Sequence, residues 1–559
     1  MTFTPIGQEW VFACGGAKDF VTYSMFLKLF SAFLAFVLLL ISPVPVSSES
    51  PSVLPGDFVR YQEPDFLSFG ELKSLVDNPK PTGLLGLKLK KFWTTPIISN
   101  EAYYKGVRPR EINHPQIGRI MNVTSWNIEK SFHIPRVIDL LTTESAFKLM
   151  IDYAKVNQGS RLYKTLGRQR ARILASDVLV LQEMDIGVQR SGYLNAAAEM
   201  AKALKMNYAY GTEQLEIDPV LIGIEKPRTS EGKISGTHDF DVDPKRYKGA
   251  FGCAVLSKYP IKKVEVFQLE NQGYDWYEGE KVKISAVEKS RRFGTKLLFR
   301  NELTRELKVG GRIYFRVDLE VPELPNKTLS IINIHLEIKC LPKAREMQMR
   351  EILSYIKKIE NPVIVMGDFN AASTDISPTS AVRVVTRTAK NPDTWLNAAV
   401  SFLTPYGPVN LARNATNMTR GLQNPLAKHI ALVGPNPVYG MFHAIQTFRF
   451  DDDSVFDFRG DSDRSINGKG QLLANSNQRD LKGFKTTFQV RRPIAHIFGK
   501  LRLDWVFVKS NYLKDPLDDY GSYKFAPHFG ETLEELNTNL KEPLSDHHPN
   551  VISLPFNEP

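Results

Sequence analysis

Cysteine is scarce in this chain: 559 residues contain three, Cys14, Cys253 and Cys340. No CxxC or clustered Cys/His spacing occurs, which excludes the common structural zinc modules. Cys253 and Cys340 are left either as one bridge in an oxidising compartment or, more simply, as two buried thiols. Acidic residues are outnumbered, 61 against 72 Lys and Arg, for a net charge of +11. Lys18 and Lys28 cancel Glu9 and Asp19, so the first 48 residues add nothing to that excess. The remainder is basic, which points to anionic partners: nucleic acid, phospholipid headgroups or phosphorylated metabolites.

Long apolar runs are also rare. The one of note, Leu29 to Ile41, spans thirteen residues, follows Lys28 and precedes prolines and small residues. Residues 1–48 therefore read as a leader: a secretory signal cleaved after Ser48, with Met25 as its start, or an uncleaved anchor counted from Phe26 to Val46. Either form places the folded part outside the cytoplasm, secreted, periplasmic or membrane-anchored, with membrane association as one expectation.

What is present is an ordinary globular composition, 42% hydrophobic and 24% charged, which excludes disorder as the default. Residues 49–117 hold many prolines and little periodicity and read as a linker that partly packs on the domain after it. From 118 to 556 apolar strands alternate with helical patterns, an α/β arrangement. Ile134, Val137, Ile138 and Leu141 lie at helical spacing, a second helix is expected over Arg161 to Leu174, and a third over Leu194 to Leu204. Insertions are expected near 212–248, 265–310 and 371–500.

The strands end in chemistry. PVIVMGDFN (362–370) runs apolar to Gly367 and then offers Asp368 and Asn370 on one side and Phe369 on the other. Gly367 is expected to allow a sharp turn or a close approach to a ligand. IMNVTSWN ends in Asn127, DVLVLQEMD offers Glu183, LSIINIHLE offers Asn333 and His335 on one face, LRLDWVFV carries Asp504, and PLSDHHPN holds Asp546, His547 and His548. Buried acids are costly unless paired, hydrogen-bonded or bound to a metal. Six such intrusions are poorly explained as solvated loops.

In this order the motifs LQE, NIH, GDFN, LDW and SDH resemble the endonuclease/exonuclease/phosphatase superfamily, across about residues 118–556. WNIEK followed by LQEMDIGVQRSGY is similar to a bacterial and fungal branch of unassigned substrate. The resemblance implies a four-layer α/β sandwich, two packed mixed β-sheets flanked by helices, and an enzyme that hydrolyses phosphate esters. It implies Glu183 as metal ligand, helped by Asn127 and Asp546, with magnesium or manganese as the ion, since the donors are oxygens. His547 is expected to take the proton from water and Asp504 to hold its imidazole. Asp368 and Asn370 are expected to contact phosphate and the attacking water or to assist the leaving group, His335 to donate to a phosphoryl oxygen, and Asn127 and Asn333 to help bind substrate. His548 is expected to be structural. GAFGCAVLSKYPI departs from the family in carrying Cys253 where Asn is frequent.

Three readings of function are open. A phosphodiesterase acting on nucleic acid or phospholipid leads; a phosphomonoesterase of inositol phosphates is the enzymatic rival. A non-catalytic binding protein of the same fold is expected to have lost Glu183, Asp368 or His547, and none is lost. Between Lys281 and Arg312, ten Lys or Arg stand against three Glu among Phe293 and Phe299, after Tyr274, Trp276 and Tyr277, which suits either an anionic-ligand surface or a solvated hairpin. Arg345 and Gln348, at i and i+3, read as braces of a helix. A calcium loop from Asp463 through Ser465, Asn467 and Gly468 fails because Ala474 occupies the closing position. Asn122, Asn326, Asn414 and Asn417 form Asn-x-Thr sites.

Overall fold

Parity sorts the side chains of the apolar strands. Val178 and Val180 join one buried cluster while Leu179 and Leu181 join another. Ile364 and Met366 belong with Val178 and Val180, whereas Val363 and Val365 turn to a third cluster. Two sheets therefore share an apolar layer, and each buries its outer face under helices. This is the four-layer α/β sandwich that the motifs imply. It is seen in a computed structural model that describes residues 57–217, 242–281, 307–372, 424–430, 434–480, 483–494 and 498–558. The leader, Cys14, Phe293, Phe299 and most of the basic stretch, Asn414, Asn417, the centres of the first two expected insertions and residues 373–423 of the third lie outside the described residues.

The larger sheet has ten strands. Its path runs Tyr61–Gln62, Ile97–Ser99, Asn207–Glu216, Ala250–Ser257, Val178–Ile186, Gly118–Asn127, Asn550–Pro555 and His528–Thr532, with Ile112–His114 and Lys308–Gly310 attached. The smaller sheet has five strands, in the order Asp504–Lys509, Val363–Asp368, Thr328–His335, Ile313–Glu320 and Ile261–Gln268. Gly118–Asn127 is parallel to Val178–Ile186, and Thr328–His335 to Val363–Asp368; the other neighbours are antiparallel. The register sets His335 beside Asp368 and Asp368 beside Asp504, so three motif residues stand abreast at one rim.

Helices Ile134–Thr142, Arg161–Leu174 and Ala196–Leu204 cover the outer face of the larger sheet. Ser160 and Asn195 cap the latter two, each side chain accepting a backbone N–H of the first turn. Pro342–Ile356 and Tyr439–Gln446 cover the smaller sheet. Arg345 and Gln348, expected to brace their helix, brace the loop after His335: Arg345 donates to the Glu337 and Cys340 carbonyls, and Gln348 accepts from the Glu337 N–H.

Four expectations need correction. The proline-rich linker is folded from Asp57 onward: Tyr61–Gln62 and Ile97–Ser99 extend the larger sheet, and helices Phe69–Ser74 and Gly83–Thr94 bury Leu72, Leu89 and Phe92 in its outer cluster. Its described prolines, Pro64, Pro79, Pro81, Pro96, Pro109 and Pro115, lie in the loops and turns between these elements, where no ladder or helix N–H is lost. Residues 212–216 and 265–268 belong to core strands, so the first two insertions begin later than expected. Part of the third insertion is core: Phe442, Phe456, Phe458 and Phe484 pack with Phe369 and Trp505. Gly367 makes no turn. It lies inside its strand at φ +139°, where a Cβ would stand 2.1 Å from the Ile334 carbonyl oxygen. Cys253 and Cys340 are both buried and unbridged, and no helix among the described residues is long and apolar enough to cross a membrane.

At the far end of the central strand, Asp177 accepts the Asn122 N–H at 3.0 Å. Burial pushes its carboxyl up from 3.8 to about 6, against the pull of that hydrogen bond and of Lys258. Raising the pH through that window strips the proton from the unfolded chain first, so stability falls between the two values and stays lower above them. Asp177→Asn removes this penalty. In thermal unfolding it is expected to raise Tm relative to the parent at pH 8 and to differ little from it at pH 4.

Candidate active site

Glu183 reaches the rim through a break in its strand. Val178, Val180 and Gln182 face the inter-sheet layer, and strict alternation would send Glu183 to the outer face. Instead the register with Ala250–Ser257 slips between Leu181 and Met184, and Glu183 takes φ +60°. This bulge re-aims the side chain and reverses the parity of Met184 and Ile186. Ser131 occupies the freed backbone: its hydroxyl donates to the Glu183 carbonyl at 3.1 Å and accepts the Asp185 N–H at 2.9 Å. Ser131 belongs to a run of three left-handed residues, Glu129, Lys130 and Ser131, with φ of 47°, 50° and 55°. That conformation costs about 1–2 kcal/mol per residue, and it places the Lys130 N–H 3.0 Å from Glu183 Oε2.

Asn127 ends the neighbouring strand and joins the two halves of the site. Its Nδ2 donates to Glu183 Oε1 and to Asp368 Oδ2, each at 3.1 Å. Its Oδ1 accepts the Glu129 N–H at 3.0 Å, which fixes the orientation of the amide. Asp368 Oδ2 lies 3.7 Å from His547 Nε2, and His547 Nδ1 lies 2.8 Å from Asp504 Oδ2. An ionised Asp504 can only accept, so the proton of that contact sits on Nδ1 and Nε2 faces Asp368. Burial pulls the His547 imidazole down, but Asp504 and Asp368 outweigh it and hold its pKa well above the ordinary value. Burial lifts Asp368; His547 and His335 oppose this, Asp504 adds to it, and the net direction is upward.

His335 is held from behind by residues that the motifs do not reveal. Its Nδ1 lies 3.0 Å from Glu213 Oε2 and 2.8 Å from Arg312 Nη1, and its Nε2 lies 3.8 Å from Glu183 Oε1. Arg312 also donates to Glu213 at 3.0 Å and to Glu337 at 3.1 Å, and Glu337 accepts from Trp276 Nε1 at 3.0 Å. Glu213, Arg312 and Glu337 are all buried, and such charges persist only as a mutually paired set. Glu213 stands between Thr212 and Gln214 in NYAYGTEQLE, a run too polar for one acid to be marked by its sequence. Cys253, at the family's Asn position, donates its thiol to Glu213 at 3.4 Å, and burial pushes that thiol well up.

Other expected site residues stand elsewhere or act differently. Asn333 does not face substrate: its Nδ2 donates to the Leu181 and Ala254 carbonyls, and its Oδ1 accepts from Gln182. It shares the inward face with His335 but lies one step deeper, where an amide must satisfy the backbone of the opposing sheet. Asn370 reaches the site through its backbone N–H, 2.8 Å from Asp368 Oδ1, while its side-chain amide donates to the Leu336 carbonyl. Asp546 is half-buried; its N–H donates to Glu129 Oε2 at 3.2 Å, and its charge helps raise His547. His548 is structural in its surroundings: it is buried, its Nδ1 accepts from Asn537, and burial lowers its pKa to about 3.

The open carboxylate is Glu183. Its side chain is 21% exposed, against 2% for Asp368 and Asp504. Burial raises its pKa, but His335, Lys130 and the Asn127 hydrogen bond together hold it below the ordinary value, so it is ionised. An ionised, accessible oxygen donor fits a hard divalent cation. Among the described residues, two clusters have ligand atoms within 4.8 Å of one another: Glu213, Cys253 and His335, and Asp368, Asp504 and His547. In the first, the Arg312 guanidinium already supplies the positive charge; in the second, Asp504 is already engaged by the His547 ring.

Among solved structures the chain is similar to an endonuclease/exonuclease/phosphatase from Beutenbergia cavernae, 14% identical over 78% of this chain and 72% of that one, with a TM-score of 0.32. It is also similar to a family protein from Leptotrichia buccalis, 11% identical over 78% and 100%, TM-score 0.33. A third is the 3′ phosphatase NExo from Neisseria bound to a product DNA hairpin, 12% identical over 78% and 99%, TM-score 0.34. No curated protein sequence matches the chain. Residues 124–547 match the profile of the Endonuclease/Exonuclease/phosphatase family. The chain belongs to that family and is a hydrolase of phosphate ester bonds.

Proposed function

We propose that the protein is a magnesium-dependent phosphodiester hydrolase, with nucleic acid as its substrate class and His547 as the base that activates water. The observation that carries this reading is the unbroken line Glu183, Asn127, Asp368, His547 and Asp504, with the imidazole Nε2 turned to the interior of the site. Glu183, with Asn127 and Asp546 beside it, would hold the cation, magnesium or in its place manganese, which supplies positive charge against the phosphoryl oxygens. The residues of the chain do the rest. Asp504 keeps the proton of His547 on Nδ1, so Nε2 is the atom free to receive one from water. Asp368, kept in place by Asn127 and the Asn370 N–H, lies where it can orient that water. As the new bond to phosphorus forms and the ester bond breaks, charge grows on the phosphoryl oxygens. His335, anchored behind by Glu213 and Arg312, presents Nε2 from the Glu183 side to donate there. The net charge of +11 supports a polyanionic substrate, and the leader at residues 25–48 supports action outside the cytoplasm.

Turnover of bis(p-nitrophenyl) phosphate and of double-stranded DNA with magnesium tests this. EDTA is expected to abolish turnover and added magnesium to restore it. His547→Ala and Asp504→Asn are each expected to lower kcat by about 10²–10⁴-fold; parent-like rates in His547→Ala would remove it as the base. Turnover restricted to monoesters would favour a phosphatase, and hydrolysis of phospholipid vesicles but not DNA a lipid diesterase. His335→Gln is expected to lower kcat by about 10²-fold with KM changed far less, read from the same assays. DNA affinity is expected to fall steeply between 50 and 200 mM salt, on the order of 10³-fold for several phosphate contacts.

A further inference from the structure

Asp504 and His547 come from distant parts of the chain, yet one short segment holds both. Thr487 is fully buried. Its Oγ1 accepts the N–H of Leu503 and the N–H of Asp504, each at 3.0 Å. Its own N–H donates to the Leu501 carbonyl at 2.9 Å, and its carbonyl accepts the His548 N–H at 2.7 Å. Two residues on, the Gln489 N–H donates to the Asp546 carbonyl at 2.8 Å. The backbone on both sides of His547 is thus tied to the backbone on both sides of Phe488, and the two residues form a β-bridge. Within it the Phe488 ring meets the imidazole edge-on, with centroids 5.0 Å apart and planes at 62°. Ser545, Trp126 and Asn537 hold the His547 backbone on its other side. The Thr487–Phe488 segment is the one of these elements that also grips Asp504.

A hydroxyl has two acceptor lone pairs, and here adjacent amides at the start of the Asp504 strand take both. Removing that oxygen leaves two buried N–H groups without a partner and frees the end of the strand to shift. The ring of Phe488 packs against the imidazole beside its hydrogen bond to Asp504.

We propose that Thr487 and Phe488 are positioning residues for the acid–base pair. Together they set the separation and angle of Asp504 and His547, so that Nε2 stays aimed at the attacking water. This rests on His547 being the base of the proposed hydrolase. Unlike a general stabilising role, this one acts on turnover rather than on substrate binding.

The test uses the full chain, magnesium and bis(p-nitrophenyl) phosphate. His547→Ala first separates the two ideas: if it keeps parent turnover, or if the parent shows none, the base reading falls and the positioning proposal with it. Given a parent that turns over and an inactive His547→Ala, Thr487→Val is expected to lower kcat by about 10–100-fold with KM within about twofold. Thr487→Ser, which restores the oxygen, is expected to recover most of that loss. Parent kcat in Thr487→Val, an equal change in KM, or no rescue by Ser overturns the proposal. Because Thr487 is buried, Phe488→Leu at a half-exposed position is the second variant: lowered kcat at unchanged KM and folded circular dichroism supports the proposal, and parent kcat overturns it. A proton resonance of His547 Nδ1–H, assigned by its loss in His547→Ala, is expected to move in Thr487→Val and return in Thr487→Ser; an unmoved signal also overturns it.

Discussion

Two carboxylates that would repel each other, Glu183 and Asp368, are bridged by one amide. Asn127 donates to both at 3.1 Å, and it can do so only because the two sheets bring a strand of each to the same rim. Asp368 belongs to the smaller sheet, Glu183 and Asn127 to the larger. The inter-sheet core, with Val123, Val180, Phe315, Ile364 and Ile552 in it, sets the distance between them. Apolar burial is non-directional; the hydrogen bonds at its edge turn it into a defined spacing.

From that bridge, charge is distributed in two directions. Towards the carboxyl-terminal strands, Asp368 faces His547, which is backed by Asp504. Towards the centre of the larger sheet, Glu183 faces His335, which is backed by Glu213 and Arg312, with Glu337 behind the guanidinium. Each imidazole therefore has an acid behind it and an open nitrogen in front. Isolated charges at this depth would neutralise or unfold their surroundings, so their coexistence depends on complete pairing. Backbone strain is present here too, at Glu129, Lys130, Ser131, Glu183 and Asn370, all at positive φ. Rigid strands on either side over-determine these conformations, which is how an active site keeps residues that a free chain would not adopt.

Much of the fold was legible in the order of residues. The helix over Arg161 to Leu174 follows from its apolar spacing, and the strands ending in Asn127, His335 and Asp368 follow from β-branched runs that stop at polar groups. What misled was composition read without contact: prolines in residues 57–115 suggested a tether, whereas they occupy the short loops and turns between elements that complete the sheet edge. Asn333 and His335 share a face by parity, but parity does not give depth, and one side chain meets the opposing sheet while the other meets the cleft. The acids Glu213 and Glu337 carry no motif of their own and are meaningful only as partners of Arg312 and His335.

By itself the sequence determined which groups were available: the amide, acids and imidazoles, their order, and the apolar alternation that assigns each strand two faces. Alternation alone, however, points Glu183 away from the site. Its presence there was decided by the bulge between Leu181 and Met184, and the bulge is stable because Ser131, from the loop that follows the neighbouring strand, satisfies the backbone groups it releases. Local pattern follows from one strand's own chemistry, whereas a broken pattern persists only when a distant residue supplies the hydrogen bonds that the ladder has lost.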